Sequence, residues 1–200
     1  MATVIDLQVS ATADDAMQTT EDTWFSNSVT YSFVSYTNHD TRSYHRFVMG
    51  ATPIPSGAII TAAYLTFTGY EDSAGANILR VQGFLEDDVG DFPDRATADS
   101  YGLTVQLVDW TPGAWTTGNE FNSDDLTAIV QEIVDLMGGI ATNEHLGLRT
   151  DTTTRVVNKR ARSYDFAGNA DGVKLHIEFT VAATYQPRPA GMAVGTTQIY

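Results

Sequence analysis

The densest group of side chains that could do chemistry is acidic. Glu86, Asp87, Asp88, Asp91, Asp94 and Asp99 crowd one turn-rich stretch. Calcium takes about six to eight oxygen ligands, mostly carboxylates and carbonyls offered by such loops. Glu86, Asp87, Asp88 and Asp91 are therefore the candidate ligands of a structural calcium, although their spacing is not that of an EF-hand. The competing reading is a solvated loop with Arg95 as counter-charge. No other cofactor is expected.

A second group is aromatic. Trp24, Phe25, Tyr31, Phe33, Tyr36, Tyr44 and Phe47 are interleaved with Ser, Thr and Asn. Rigid aromatics among small polar residues make good contact surfaces, and their faces suit sugar rings. Trp24, Tyr31, Tyr36 and Tyr44 are the candidate ligand-binding residues. The competing reading is a strand pair, since Tyr31 and Phe33 alternate with Ser32 and Val34. Trp110 and Trp115 flank a short turn and read as core packing, with a sugar-binding platform as the alternative if they are exposed. The third group is basic: Arg149, Arg155, Lys159, Arg160 and Arg162. Arg155 and Arg160 are candidate contacts to an acidic surface, including that of a second copy.

Catalytic motifs are absent. No GxSxG elbow, Walker loop or GxGxxG occurs, and without cysteine there is no thiol nucleophile. His39, His45, His145 and His176 are scattered without zinc spacing. A two-carboxylate glycosidase needs only two facing acids, so a glycan-active enzyme stays open as the weakest alternative; the expectation is a non-enzyme.

The bulk properties narrow the partners. The chain has 25 acids against 11 bases, a net charge of −14, and only two lysines, Lys159 and Lys174. Phosphate contacts need Lys and Arg, so neither nucleic acid nor an anionic membrane is an expected partner. The lack of cysteine excludes disulfides. No apolar run approaches the roughly 18 residues of a membrane span, and Met1 to Ser10 does not read as a signal peptide. The expectation is synthesis in a cytoplasm, with any outside role reached within a particle.

Strands must position these groups. Ile5, Leu7 and Val9 alternate with polar neighbours; so do Ala63, Leu65 and Phe67, and Leu79, Val81 and Leu85 share a parity. Val105 and Leu107 repeat the pattern. The clearest run places Val173, Leu175, Ile177, Phe179 and Val181 on one face and Lys174, His176, Glu178 and Thr180 on the other. Turn residues separate the runs, as in Pro53 to Gly57 and Ala167 to Gly172. Many short strands so spaced predict an antiparallel β-sandwich or barrel over residues 1–184. One amphipathic helix is predicted over 123–137, capped by Ser123, apolar at Leu126, Ile129, Val130, Ile133, Val134 and Met137, and ended by Gly138 and Gly139. It should lie across an open end or edge of the sandwich. Residues 185–200 read as an extended tail and a candidate assembly tether, with Pro187, Pro189, Ile199 and Tyr200 as its contacts.

Three stretches resemble a known family. They are Arg46-Phe47 with Ile54-Pro55-Ser56-Gly57 running into Ala63-Tyr64-Leu65-Thr66-Phe67; Asp125-Leu126-Thr127-Ala128-Ile129-Val130; and Arg162-Ser163-Tyr164-Asp165 followed by Lys174 to Phe179. Together they resemble DNRLRE-type and disaggregatase-repeat-related jelly-roll domains, over roughly residues 3 to 182. The resemblance implies an all-β, jelly-roll-like sandwich, akin to carbohydrate-binding modules, found in bacterial surface proteins and phage structural genes. It supplies no catalytic residue. The sequence thus leads to the expectation of a non-enzymatic structural protein of a bacteriophage virion, a head decoration or a tail or fibre component. Its partners would be other virion proteins and copies of itself. The alternative is a glycan-binding module or adhesin domain.

Overall fold

The computed structural model describes residues 1–182 apart from 22, 29, 38, 168 and 169. It is an antiparallel β-sandwich. The first sheet has four strands in the order β1 (Thr3–Gln8), β14 (Lys174–Thr180), β7 (Ile59–Thr68) and β10 (Glu120–Asn122). The first and last strands of the sandwich thus lie side by side, with Ile5 opposite Ile177 and Leu7 opposite Leu175. All four side chains are buried, while Asp6, Lys174 and Glu178 face water on the other side. This is the one-wet-face alternation that the sequence shows. A bulge facing Glu178 and Phe179 adds one residue to β7, so that Ile60 and Ala63, of opposite parity, both point inward.

The second sheet has six strands in the order β3 (Phe25–Ser26), β2 (Asp15–Thr19), β5 (Thr41–Val48), β12 (His145–Thr152), β8 (Leu79–Gly83) and β9 (Val108–Trp110). Two short ladders complete the set, β4 (Tyr31–Ser35) with β13 (Lys159–Arg162) and β6 (Ile54–Pro55) with β11 (Gly139–Ile140). The six-stranded sheet is covered on its inner face and, over β2 and most of β5, on its outer face as well. Inward, Phe47, Leu79, Val81 and Leu148 join the main core. Outward, the connection from Phe84 to Leu107 folds back over the sheet and builds a second core from Ala16, Tyr44, Phe84, Val89, Phe92 and Ala98. That connection carries α1 (Arg95–Ser100), whose first turn is capped by the Asp94 carboxylate accepting from the Thr97 N–H.

The longer helix, α2 (Thr127–Met137), starts later than predicted. Ser123 does not cap it. Its hydroxyl accepts from the Leu65 N–H, and Leu126 N–H donates to the Ala63 carbonyl. Residues 123–126 are thereby stitched to β7, and the Asp125 carboxylate instead receives the N–H and hydroxyl of Thr127. The end is as expected: Gly138 adopts a left-handed φ of 77° and its N–H donates to the Val134 carbonyl. Ile129, Val130, Ile133 and Val134 are buried against β7 and β8. The helix so closes the edge where the two sheets part. Val105 and Leu107 do not alternate into a core. They are 84% and 43% exposed, and β9 begins only at Val108. Trp110 and Trp115 are buried beside Phe67.

The helix approaches β8 at Gly83. A Cβ there would lie 2.5 Å from Ile133 Cδ1 and 3.0 Å from Ile129 Cγ2. Gly83→Ala is expected to cost about 1–3 kcal/mol through overpacking, read as a lowered midpoint in urea unfolding. An unchanged midpoint would mean that the helix seat is loose.

Candidate functional site

The sequence places tyrosine, phenylalanine and arginine in three separate segments, and the short β4–β13 ladder gathers them. Tyr31 stands opposite Arg162 in that ladder. Its inward side, Ser32, Val34, Ala161 and Lys159, is buried, so Tyr31, Arg160 and Arg162 face outward, each half-buried. The bridge from Gly69 to Ala161, with Tyr70 N–H donating to the Arg160 carbonyl, brings Tyr70 alongside. Phe166 arrives on the turn after β13.

The rings touch in series. Tyr31 and Tyr70 centroids are 5.0 Å apart, and Tyr70 and Phe166 are 5.8 Å apart, edge to face. The guanidinium of Arg160 sits 4.9 Å over the Tyr31 ring and that of Arg162 4.3 Å over Phe166. Each contact is worth about 0.5–1 kcal/mol at such exposure. Carboxylates hold the outer sides of the guanidinium groups, Glu71 at 3.3 Å from Arg160 and Asp171 at 2.5 Å from Arg162. The result is a fixed strip of three rings, two cations and two anions. Tyrosine, phenylalanine and arginine of this kind are the residues enriched at protein–protein contacts.

Of the four candidate aromatics, the structure brings Tyr31 into this strip. Trp24 is 39% exposed in the connection from β2 to β3, and Tyr36 stacks on His39 at 5.5 Å beyond the end of β4. Tyr44 is fully buried under the Phe84–Leu107 connection and cannot present a ring to a ligand. The two basic candidates also part. Arg160 belongs to the strip, whereas Arg155 is tied to Glu21 and, at 2.5 Å, to Asp40. Lys159 is buried, its Nζ donating to the Gly113 carbonyl at 2.7 Å over the Trp115 ring. Pro187, Pro189, Ile199 and Tyr200 lie outside the described residues.

The candidate calcium ligands do not converge. Asp88 holds His145, and Asp91 pairs with Arg46. Glu86 is exposed, and Asp87 lines a surface depression with Glu144. Asp99 collects Tyr44, Gln18 and Arg42. Asp88, Asp91 and Asp99 each fasten this stretch at a different point of the second sheet, while Asp94 caps α1 within it. Among the described residues no three His, Cys, Asp or Glu side chains come together as a metal site. Tyr70 and Phe166 were missed because they lie in turns, where no periodicity marks them, and Arg162 stood in the basic group without being one of its candidate contacts; the long-range Gly69–Ala161 bridge unites them.

The interior between the sheets also holds ionisable groups that the sequence did not announce. His45 is wholly buried beside Phe67, and neither ring nitrogen has a hydrogen-bond partner. Burial pulls its pKa down to about 3. Asp15, its neighbour across the β2–β5 ladder, is pushed up to about 7 by burial, against the Tyr164 N–H that donates to it. A scan against models of known protein families finds no match, and no curated protein matches the sequence. The likeness to DNRLRE-type domains therefore rests on the three sequence stretches alone.

These two groups give opposite pH dependences. Folded His45 resists protonation, so its contribution is intact above about pH 6.5 and is lost on acidification. Folded Asp15 favours its neutral form, so its contribution is present at low pH and is lost as pH rises from about 4 to about 7. Between pH 8 and pH 5, His45→Leu should gain about 2 kcal/mol relative to the parent, and Asp15→Asn should lose about 3 kcal/mol relative to it. Urea unfolding at both pH values measures this; parallel pH profiles for parent and variants would contradict it.

Proposed function

We propose that this chain is a non-enzymatic structural domain that works by assembling with copies of itself and with other proteins of a particle. A bacteriophage virion is the setting that the family resemblance suggests. The single observation that carries the reading is the strip of Tyr31, Tyr70, Phe166, Arg160 and Arg162. Its rings offer contact area at low entropy cost, and its guanidinium groups are already oriented.

Charge supports the same surface. Copies carrying −14 each repel one another. Contact is least opposed where charge is locally balanced, and in the strip Arg160 and Arg162 face Glu71 and Asp171. Association through it should therefore strengthen as salt screens the general repulsion. A second reading, a glycan-binding module, draws on the outer face of the four-stranded sheet. There Tyr64 stacks on His176 at 4.6 Å beside a depression of about 230 Å³ lined by Asp6, Gln8, Glu120 and Lys174.

Light scattering across protein concentration and salt tests the assembly reading. The parent chain is expected to form an oligomer that strengthens with salt, while Tyr31→Ser with Arg160→Glu reduces it to monomers with an unfolding midpoint little changed. A monomer at every concentration, or an oligomer indifferent to both substitutions, would refute it. Binding of a glycan that Tyr64→Ala abolishes would favour the second reading.

A further inference from the structure

Apolar side chains that stand in water one at a time need no account, but Val105 and Leu136 share a depression. A groove of about 550 Å³ runs along the exposed side of α2, lined by both of them and by Gln106, Ala128, Glu132 and Asp135. Val105 is 84% and Leu136 59% exposed. Leu136 lies off the buried stripe of the helix, which is Ile129, Val130, Ile133 and Val134. The loop beside the helix is held firmly. The Glu132 carboxylate accepts the backbone N–H groups of Val105 at 2.8 Å and Gln106 at 2.7 Å, and the Thr104 hydroxyl donates to the Gln106 carbonyl at 2.7 Å. A preformed groove with apolar walls is a docking surface.

Charge identifies the partner. Residues 96–148 contain eight acids and neither lysine nor arginine, and the groove lies wholly within that stretch. Among the described residues, the two carboxylates that line it bond to uncharged donors. Glu132 takes the two N–H groups above, and Asp135 takes the Gln131 amide at 2.8 Å. Both keep their full negative charge for a partner. A second copy does not supply the complement. Each arginine among the described residues is ion-paired within its own chain, Lys174 is paired with Glu120, and Lys159 is buried on the Gly113 carbonyl. Two copies meeting here about a two-fold axis would also set Glu132 and Asp135 against their own equivalents. The groove's direction gives the shape. The 11 residues of α2 span about 16 Å, which is about three turns of a second helix laid alongside.

We infer that this groove docks a basic amphipathic helix of a different protein, with its apolar side chains between Val105 and Leu136 and its cations on Glu132 and Asp135. The surface is separate from the strip on β4 and β13 and goes beyond the joining of like copies. Its salt dependence has the opposite sign. Attraction between an acidic groove and a basic helix weakens as salt rises, whereas association through the strip strengthens.

The probe is a fluorescein-labelled peptide of leucine and lysine, about 14 residues long, with its leucines on one helical face. A peptide of the same composition with the leucines spread around the helix is the comparison. In anisotropy titrations on the full chain, the first should bind at least about tenfold more tightly than the second. Leu136→Asp and Val105→Asp should each weaken that binding at least about tenfold, although each adds a charge that attracts lysine. Both side chains are exposed, one on the helix and one on the loop, so the unfolding midpoint should stay in place. Tyr31→Ser with Arg160→Glu should bind the peptide as the parent does, whatever it does to assembly. Equal affinity for the two peptides, absence of binding, binding that either aspartate leaves unchanged or tightens, or binding lost in the strip variant would each overturn the proposal.

Discussion

The structure turns on the burial of β5 from both sides. Tyr44 and His45 are adjacent, point to opposite faces, and are both fully buried. A strand in that position cannot leave either side to water, so the six-stranded sheet needs a cover on its outer face as well as the four-stranded sheet on its inner one. The Phe84–Leu107 connection supplies the cover, and its aromatic side chains form the second core. Its acids fasten it down at the edges: Asp91 on Arg46, Asp88 on His145, Asp99 on Tyr44 and Arg42. Buried carboxylate and guanidinium groups of this kind are tolerated only in pairs, and Asp14 with Arg46 at 2.6 Å is the most enclosed example.

How much of this was legible in the sequence depends on which faces are wet. β1 and β14 alternate cleanly, as does β7 from Ala63 to Phe67, because their outer face meets solvent, so Leu175, Ile177 and Phe179 could be read as core directly. β2 and β5 could not be read in the same way. Every residue of β2 is buried, and Tyr44 looked like a surface aromatic because nothing local shows that a distant segment lies on it. Val105 and Leu107 alternate too, but both are exposed and neither enters a core. The helix was visible from its stripe, and its start was displaced by four residues because the Ser123 hydroxyl serves Leu65 rather than the helix. The acid-rich stretch was visible as a cluster in sequence and is dispersed in space. The aromatic strip was half visible: Tyr31 and Arg160 stood out, while Tyr70 and Phe166 depend on a register between segments about ninety residues apart.

The same constraint explains where function can sit. With β2 and β5 covered on both faces, the β4–β13 strip and, on the first sheet, the Tyr64–His176 pair are aromatic surfaces that stand clear of that cover among the described residues. The strip is the better contact. Its rings and guanidinium groups immobilise one another before any partner arrives, which lowers the entropy cost of binding. Behind it, Asn77 and Ser35 donate half-buried hydrogen bonds to the carbonyl of Val157.

The most direct measurement of the central claim is amide hydrogen exchange of the parent chain compared at dilute and concentrated conditions. Assembly through the strip predicts concentration-dependent protection confined to residues 31–35, 69–71 and 159–167, with the Tyr64–His176 face unaffected. Protection that appears on that other face, or exchange that does not depend on concentration anywhere, would contradict it.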